Sequence, residues 1–337
     1  MTLIPSKISG ILPMISSKSL SHRYVMAAGL AKAESRLSNV LESDDLVATK
    51  KALTILGAHI EGDVIKGGFP LLKSSIIDAH ESGSTLRFFI PIAMLQPKPV
   101  TFIGKGRLLS RPLEVFDEMF KPFQYEFKHI KDEKVICKGP LKAGIYQMRG
   151  DVSSQFLTGL LYALPLLEGD SQIILETPLE SKGYVDLTLD VLKKYGISID
   201  VSNDTYFIKG NQVYQAGTYE VEGDFSQAAF FIVAATIGSQ ITLKRLNEHS
   251  LQGDKDILSV VKAMGGHYEF SDEGLTIYPS KTKGTTINLE HIPDLGPVLM
   301  VLAAVSEGTT HIINAKRLRI KESDRLEAMY QELTKMG

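Results

Sequence analysis

The sequence predicts an α/β fold built from a repeated βαβαββ unit and divided between two domains. Small polar clusters beginning at Ser19, Ser82, Ser153, Ser226 and Asp294 lie 63, 71, 73 and 68 residues apart. A near-constant period over five copies is typical of a repeat architecture. The chain of 337 residues also exceeds the usual size of a single hydrophobic core, so two domains are expected.

Each copy begins with its polar cluster and continues through an apolar helix, a short strand, an amphipathic helix and a hairpin. The strands expected after the first helices are Ser38–Leu41, Val100–Ile103, Gln172–Glu176, Gln240–Leu243 and Thr309–Ile313. The second helices are expected to end at Leu56, Phe120, Tyr195, Met264 and Met336. Three first helices, Phe88–Leu95, Phe156–Leu164 and Phe230–Ile237, are apolar nearly all round, so we expect them to be buried.

The fifth copy is unfinished, because it stops at Gly337, where its hairpin would begin. If the copies pair evenly, a sixth is absent as well. The expectation is therefore a C-terminally truncated chain that lacks about ninety residues of the repeat pattern.

Composition and charge exclude several classes of protein. A net charge of −2 argues against a nucleic-acid binder. The longest apolar run, residues 156–167, is too short to cross a membrane, and the first ten residues lack the apolar core of a signal peptide. The single cysteine, Cys137, lies in a strand pattern, which indicates a buried structural thiol in a protein of a reducing compartment.

The stretch Ser16–Arg23 indicates an anion-binding site at the start of a helix. Serine hydroxyls ahead of an apolar run cap free N–H groups, and the helix dipole favours an anion there. Lys18 adds a point charge, and Arg23 adds a planar fork suited to a carboxylate or phosphate. The alternative is an ordinary capped helix whose charges are solvated.

The second copy repeats this design. In Glu81–Arg87, Gly83 would let a ligand approach backbone N–H groups closely, and Arg87 follows one turn into the helix. The dipeptide Arg111-Pro112 is expected to place another guanidinium at a helix start.

The third and fifth copies carry different chemistry. The neutral groups Ser153, Ser154 and Gln155, with the stretch Ser181–Tyr184, suit a polyhydroxylated ligand. The fifth copy has Asp294 where other copies have serine, followed by three cations and two acids in Arg319–Arg325. Singly these clusters are typical of caps and solvated faces, but their recurrence at the same end of successive units favours a ligand site.

Seven motifs in this order resemble the enolpyruvyl transferase family, in particular its EPSP synthase branch. They are Ser17–Arg23, Ser82–Arg87, Val152–Phe156, Ser181–Asp186, Val221–Asp224, Leu251–Asp254 and Arg319–Arg325. The resemblance implies a two-domain inside-out α/β barrel of βαβαββ units, of which five are visible here. It assigns residues 14–222, three complete units, to the domain that binds shikimate 3-phosphate, and residues 1–13 and 223–337 to a second domain.

The resemblance also implies the ligands of two small-molecule substrates. Those expected for shikimate 3-phosphate are Ser19, Arg23, Ser153, Ser154, Gln155, Ser181, Tyr184, Asp294 and Lys321. Those expected for phosphoenolpyruvate are Lys18, Gly83, Arg111, Gln155 and Arg325, with Arg87 supporting that region.

The implied reaction moves the enolpyruvyl group to the 5-hydroxyl of shikimate 3-phosphate through a tetrahedral intermediate and releases phosphate, in aromatic amino-acid biosynthesis. Asp294 is the candidate for taking the hydroxyl proton, Glu322 for exchanging a proton with the methylene carbon, and Lys18 for neutralising charge. Neither a cofactor nor a metal is expected, nor a nucleic-acid or membrane partner, and the implied protein is a cytoplasmic monomer. Glu81 departs from the family, many of whose members have asparagine there.

Two alternatives stay open. A truncated, non-catalytic anion-binding fragment would keep the same clusters. UDP-N-acetylglucosamine enolpyruvyl transferase shares the implied fold but uses a loop cysteine, whereas Cys137 lacks a glycine-rich loop context.

Overall fold

The computed structural model describes residues 8–69, 71–321 and 323–337. Its helices are α1 Lys18–Leu30, α2 Asp44–Ile55, α3 Gly83–Ala93, α4 Glu114–Phe120, α5 Ser154–Ala163, α6 Lys182–Lys194, α7 Phe225–Ile237, α8 Ile257–Ala263, α9 Gly296–Ala304 and α10 Arg325–Met336. Its strands are β1 Gly10–Pro13, β2 Glu34–Ser38, β3 His59–Glu61, β4 Val64–Lys66, β5 Ile76–Asp78, β6 Pro99–Ile103, β7 Glu126–Ile130, β8 Lys134–Lys138, β9 Ile145–Met148, β10 Ser171–Leu175, β11 Ile199–Ser202, β12 Thr205–Ile208, β13 Thr218–Glu220, β14 Ile241–Lys244, β15 His267–Ser271, β16 Gly274–Tyr278, β17 Thr286–Asn288 and β18 His311–Ile313.

The chain divides into two compact units, each described here by itself. The central unit comprises residues 18–221, and the terminal unit comprises the described residues of 1–17 and 222–337. Each unit has its own cluster of buried apolar side chains. The domain bounds at residues 14 and 222 stay a prediction.

The central unit contains three four-stranded sheets, one for each copy of the repeat. Their strand orders are β13-β2-β4-β3, β5-β6-β8-β7 and β11-β12-β10-β9. In each sheet one edge strand (β13, β5 or β9) pairs in parallel with the strand that follows the first helix of the copy. The hairpin that ends the copy adds two antiparallel strands. The predicted α/β class and the βαβαββ repeat are confirmed.

Two copies obtain their first strand from a distant part of the chain. Copy one uses β13, in which Tyr219 pairs with Leu37 of β2. Copy four uses β1 near the N-terminus, in which Gly10 pairs with Ile241 of β14. In both sheets the fourth strand is therefore supplied by residues that are far away in the sequence.

The terminal unit contains one complete sheet and one pair of strands among its described residues. The sheet has the order β1-β14-β16-β15, and β17 pairs in parallel with β18. Helices α7 and α9 pack on each other, and α10 packs on α9. This arrangement places the start of α9 beside the start of α10, which positions the charged residues described below.

The expected burial of the first helices is confirmed for two of the three. Helices α3 and α5 are buried along nearly their whole length and pack directly on each other. The third expectation was wrong, because Phe230 and Ile237 of α7 are 53% and 46% exposed. These two side chains lie seven residues apart, on one face of α7 that the described residues do not cover.

One strand was placed too late in the sequence. The structure ends β2 at Ser38, whereas the sequence pattern predicts a strand over Ser38–Leu41. Asn39 follows with φ of +58°, a left-handed conformation that stops an extended strand. The polar pattern Glu34–Ser38 alternates between exposed and buried residues, as a strand with one covered face does.

Gly159 should tolerate no larger residue, because it is the point where α5 meets α3. A Cβ atom at this position would lie 2.6 Å from the carbonyl oxygen of Arg87 and 3.1 Å from the ring of Pro91. We expect Gly159→Ala to lower the free energy of unfolding by about 2 kcal/mol, since backbone must shift to admit the methyl group. Urea unfolding measures this value, and a Gly159→Ala protein as stable as the parent would contradict the close approach.

Candidate functional site

Lys18 begins α1, as the sequence predicted, and Arg23 follows in its second turn, but the two cations lie in different surroundings. Lys18 is the first residue of the helix and is exposed, with its Nζ 3.3 Å from Oδ2 of Asp45. Arg23, one turn later, is only 3% exposed. Its Nη1 donates a hydrogen bond of 2.7 Å to the carbonyl oxygen of Ser19, so Ser19 and Arg23 form one connected group.

The Arg23 guanidinium is held by two neighbouring helices, α6 and α3. Its Nε donates to Oγ1 of Thr188 at 2.9 Å and its Nη2 donates to the carbonyl oxygen of Tyr184 at 2.8 Å. The rings of Phe88 and Tyr184 lie 5.7 and 5.9 Å from the guanidinium carbon, within cation–π range. Burial lowers the pKa of Arg23. These contacts fix a buried cation that an anionic ligand group could neutralise.

The start of α6 supplies Ser181 and Tyr184 to the same region. Ser181 precedes the helix with φ of +57°, and the residue is 1% exposed. Tyr184 lies in the first turn and accepts the hydrogen bond from Arg23 with its backbone oxygen. The structure thus brings Tyr184 to Arg23 through its main chain, and the roles of Ser181 and Tyr184 as ligands stay a prediction.

The start of α5 links to the start of α3 through Gln155. Ser153 caps α5, with its side chain accepting from the backbone N–H of Gln155 at 3.3 Å, and Ser154 is buried. The Gln155 amide accepts from Nη1 of Arg87 at 2.8 Å and donates to Oγ of Ser84 at 3.0 Å. The predicted polar groups of copies two and three are thus connected directly.

Gly83 lies beneath two guanidinium groups. A Cβ atom on Gly83 would lie 2.8 Å from Nη1 of Arg111 and 3.0 Å from Nη1 of Arg87, so glycine leaves room for both. Arg111 does not begin a helix as predicted: it is extended, and α4 begins only at Glu114. Glu81 is exposed on the turn that precedes α3. Two cations beside a helix N-terminus are suited to a carboxylate or phosphate.

A buried chain of hydrogen bonds in the same region escaped the sequence analysis. Nδ1 of His22 lies 2.9 Å from Oγ1 of Thr49, which lies 2.8 Å from Oγ1 of Thr85. Thr85 in turn donates to Oγ of Ser82 at 2.7 Å. Burial, followed by the charges of Lys18 and Arg23, lowers the pKa of His22 to about 3, so His22 is neutral. Helical spacing alone does not show which hydroxyls on three helices will meet.

In the terminal unit, Asp294, Lys321 and Arg325 form a compact charged cluster. Nη1 of Arg325 donates to Oδ1 of Asp294 at 2.6 Å, and Nζ of Lys321 lies 3.1 Å from the same oxygen. Burial would raise the pKa of Asp294, but Lys321 and Arg325 hold it well below its usual range. An ionised carboxylate beside two cations can accept a proton or orient a hydroxyl group. Glu322, the predicted proton shuttle, lies outside the described residues.

A second acidic residue, Asp254, lies near this cluster, and the sequence analysis gives it no role of its own beyond the motif Leu251–Asp254. Asp254 is 2% exposed and accepts a hydrogen bond from Oγ of Ser226. Burial, then the charges of Asp294 and Asp224, raise the pKa of Asp254 to about 7, against the opposing effects of Ser226 and Lys321. The signal in the sequence was an aspartate directly after Gln252-Gly253, but burial cannot be read from that pattern.

The two glycine-containing motifs of the terminal unit contact each other. Nε2 of Gln252 donates to Oε1 of Glu222 and to the carbonyl oxygen of Gly223, both at 2.8 Å. Ser250 and Asn247 also donate to the Glu222 carboxylate. These bonds fix the start of α7, where Asp224 caps the helix.

Three further findings bear on the class of chemistry. Cys137 is fully buried, and burial raises the pKa of its thiol, which is the setting of an inert structural cysteine. Within the described residues, no group of three or more metal-binding side chains occurs. No helix formed by those residues is long and apolar enough to cross a membrane.

Comparison with known proteins gives a consistent set of relatives. Residues 3–337 match the sequence profile of a family described as EPSP synthase (3-phosphoshikimate 1-carboxyvinyltransferase). Proteins named 3-phosphoshikimate 1-carboxyvinyltransferase from Clostridium novyi and Clostridium kluyveri are 46% and 47% identical to the chain. The alignments cover 99% of this chain and 81% and 80% of those proteins, respectively. The expectation of a missing repeat gains no support from these matches and stays a prediction.

Solved structures support the fold. An EPSP synthase from Acinetobacter baumannii matches with a TM-score of 0.79 over 96% of this chain and 78% of that protein, at 24% identity. The enolpyruvyl transferase NikO from Streptomyces tendae matches with a TM-score of 0.72 over 91% of this chain and 75% of that protein, at 15% identity. At these identities the likeness concerns the fold alone.

Proposed function

Because the chain belongs to the EPSP synthase family, we infer that it transfers the enolpyruvyl group of phosphoenolpyruvate to the 5-hydroxyl of shikimate 3-phosphate and releases phosphate. The observation that carries this function is the match at 46% identity along 99% of the chain. The enzyme is thus a transferase of the shikimate pathway, which leads to aromatic amino acids.

For shikimate 3-phosphate, the proposed ligands in the central unit surround the starts of three helices. Arg23 is the main counter-charge for the phosphate, supported by its burial and by its three fixed hydrogen bonds. Neutral hydroxyl and amide groups suit the sugar-like ring. The proposed central-unit ligands are Ser19, Arg23, Ser153, Ser154, Gln155, Ser181 and Tyr184. The resemblance to the family adds Asp294 and Lys321 as further proposed ligands.

For phosphoenolpyruvate, the proposed ligands are mainly cationic. The guanidinium groups of Arg87 and Arg111 over Gly83 support this assignment, since phosphoenolpyruvate carries a carboxylate and a phosphate. Gln155 would connect both substrates, because it already holds Arg87. Lys18 and Arg325 are proposed as further counter-charges.

The proposed chemistry requires one proton acceptor and one proton exchanger. The 5-hydroxyl oxygen forms a bond to C2 of phosphoenolpyruvate while Asp294 takes the hydroxyl proton and the methylene carbon gains a proton. Breaking of the bond between C2 and the phosphate oxygen, with loss of a proton from the methyl group, then restores the double bond. Glu322 is proposed for the proton on carbon, and Lys18 for stabilising the charge that moves to phosphate.

A phosphate-release assay tests the function and separates it from its alternatives. We expect release when phosphoenolpyruvate and shikimate 3-phosphate are both present. Phosphate release when UDP-N-acetylglucosamine replaces shikimate 3-phosphate would instead support the alternative, UDP-N-acetylglucosamine enolpyruvyl transferase. Calorimetric binding of shikimate 3-phosphate without any release would support a non-catalytic anion-binding protein.

Gly83→Ala should weaken phosphoenolpyruvate binding selectively. The added methyl group would displace the flexible Arg111 side chain by a few tenths of an ångström, so the fold should survive. We expect KM for phosphoenolpyruvate to rise about tenfold, which corresponds to about 1.4 kcal/mol, with KM for shikimate 3-phosphate within twofold of the parent. An equal rise in both constants would contradict the assignment of Gly83 to one substrate.

A cytoplasmic location and a monomeric state are further proposals. The single, buried cysteine supports a reducing compartment. Sedimentation equilibrium of the purified chain tests the monomer, and a concentration-dependent mass would contradict it.

A further inference from the structure

Four polar side chains form a continuous hydrogen-bonded line through the buried interior of the central unit. They are His22 on α1, Thr49 on α2, Thr85 on α3 and Ser82, which caps α3. Each residue is at most 1% exposed. Buried polar groups of this kind fix a unique arrangement when all are satisfied, and each broken bond leaves a costly orphan.

The last hydrogen bond of the line, between Thr85 and Ser82, determines which group donates in each of the other bonds. Thr85 donates to Oγ of Ser82 at 2.7 Å, a shorter bond than its 3.4 Å approach to the carbonyl oxygen of Asp45. A hydroxyl has one hydrogen, so the Thr49 hydroxyl must then donate to Thr85. Thr49 in turn must accept a hydrogen from His22, whose Nδ1 therefore carries the proton.

This order of donors and acceptors determines the protonation of His22 at one end and the remaining hydrogen-bonding capacity of Ser82 at the other. Nε2 of His22 is unprotonated and, within the residues the structure describes, has no hydrogen-bond partner. At the other end, Oγ of Ser82 accepts from both the backbone N–H and the hydroxyl of Thr85. With both of its lone pairs engaged, Ser82 can act further only as a donor.

The line ends where the phosphoenolpyruvate ligands are proposed to lie. Ser82 immediately precedes Gly83, and the guanidinium groups of Arg87 and Arg111 lie close to the Cα of Gly83. Near its middle the line also approaches Asp45, whose carboxylate pairs with Lys18. It therefore connects the surroundings of Lys18 to those of Gly83.

We propose that His22, Thr49 and Thr85 are positioning residues that orient Ser82 and the first turn of α3 for binding of phosphoenolpyruvate. This inference rests on the proposed function, since it assigns Gly83 and its neighbours to that substrate. The three residues act through Ser82 and touch neither substrate. Shikimate 3-phosphate, which is proposed to bind chiefly beside Arg23, is not expected to depend on them.

Thr49→Val tests the line at its middle, because valine keeps the shape of threonine and removes the hydroxyl. We expect KM for phosphoenolpyruvate to rise about tenfold, the effect of leaving a buried donor and acceptor unpaired, while KM for shikimate 3-phosphate and kcat stay within twofold. Thr49→Ser should restore the parent value. The matched control is Thr54→Val on the exposed side of the same helix, where the hydroxyl donates to the carbonyl oxygen of Lys50. A parental KM for phosphoenolpyruvate in Thr49→Val, or an equal rise in both KM values, would overturn the proposal.

A second measurement judges the line without any turnover. In the ¹⁵N-labelled protein, NMR should show His22 as the neutral tautomer protonated at Nδ1 throughout pH 5–8, with Lys18 and Arg23 the charged groups that face it. Protonation at Nε2, or titration of His22 in that range, would overturn the inference. If the parent protein releases no phosphate from its substrates, the proposed function fails, and the tautomer still decides whether the line exists.

Discussion

Replacing Asp294 by asparagine is expected to lower kcat by about 10²–10⁴-fold, the usual contribution of a positioned general base. Asparagine has nearly the same shape, but it cannot accept the proton of the 5-hydroxyl. The carboxylate of Asp294 is held ionised by Lys321 and Arg325, whose nitrogens lie 3.1 and 2.6 Å from Oδ1. Because its pKa is well below the usual range, Asp294 is ionised at physiological pH and carries no proton of its own when the hydroxyl group binds.

The measurement is steady-state phosphate release, with binding of shikimate 3-phosphate followed by calorimetry. Affinity should fall much less for Asp294→Asn than for Asp294→Ala, because the amide can still accept a hydrogen bond. Circular dichroism must confirm folding, since removing one partner of a partly buried ion cluster is destabilising. Asp272→Asn, on an exposed turn of the same unit, is the control for loss of a carboxylate. A kcat within tenfold of the parent would contradict the role as base.

The repeat was predictable because it depends on local patterns that recur at a constant spacing. In the structure, the side chains of Ser82, Ser153 and Asp224 each cap the helix that follows, which is how these polar clusters mark helix starts. The strands β1 and β13 were not predictable, because their partners lie more than 180 residues away and strands of three or four residues carry little pattern of their own.

The sequence was sufficient to propose which residues belong to the candidate site, but it could not predict which groups those residues contact. Arg23 was expected to present its fork to a ligand, yet three of its donors bond the protein. Arg111 was placed at a helix start because proline follows it, but the helix begins after Leu113. Such outcomes depend on tertiary packing, which decides which groups are buried and which meet. His22 and Asp254 belong to this class, since their unusual proton affinities come from burial.

The stability of the protein should depend on the protonation of Asp254. Burial and the charges of Asp294 and Asp224 raise its pKa to about 7, whereas an aspartate in an unfolded chain has a pKa of about 3.9. Between these values the folded protein binds a proton that the unfolded chain does not. The free energy of unfolding therefore falls as pH rises from about 4 to 7. Above about pH 7 Asp254 is ionised in both the folded and the unfolded state, so it causes no further change with pH.

Asp254→Asn should remove this dependence, because asparagine cannot ionise and can still accept the hydrogen bond from Ser226. We expect the stability of the variant relative to the parent to rise by about 3 kcal/mol between pH 5 and pH 8, from roughly two units of pH at 1.36 kcal/mol each. Urea unfolding of both proteins at each pH measures it, and taking the difference cancels every other titrating group. Asp256→Asn, exposed two residues away, controls for loss of charge on the same turn. A difference that stays constant from pH 5 to pH 8 would mean that Asp254 is ionised throughout, with its charge balanced by Lys321.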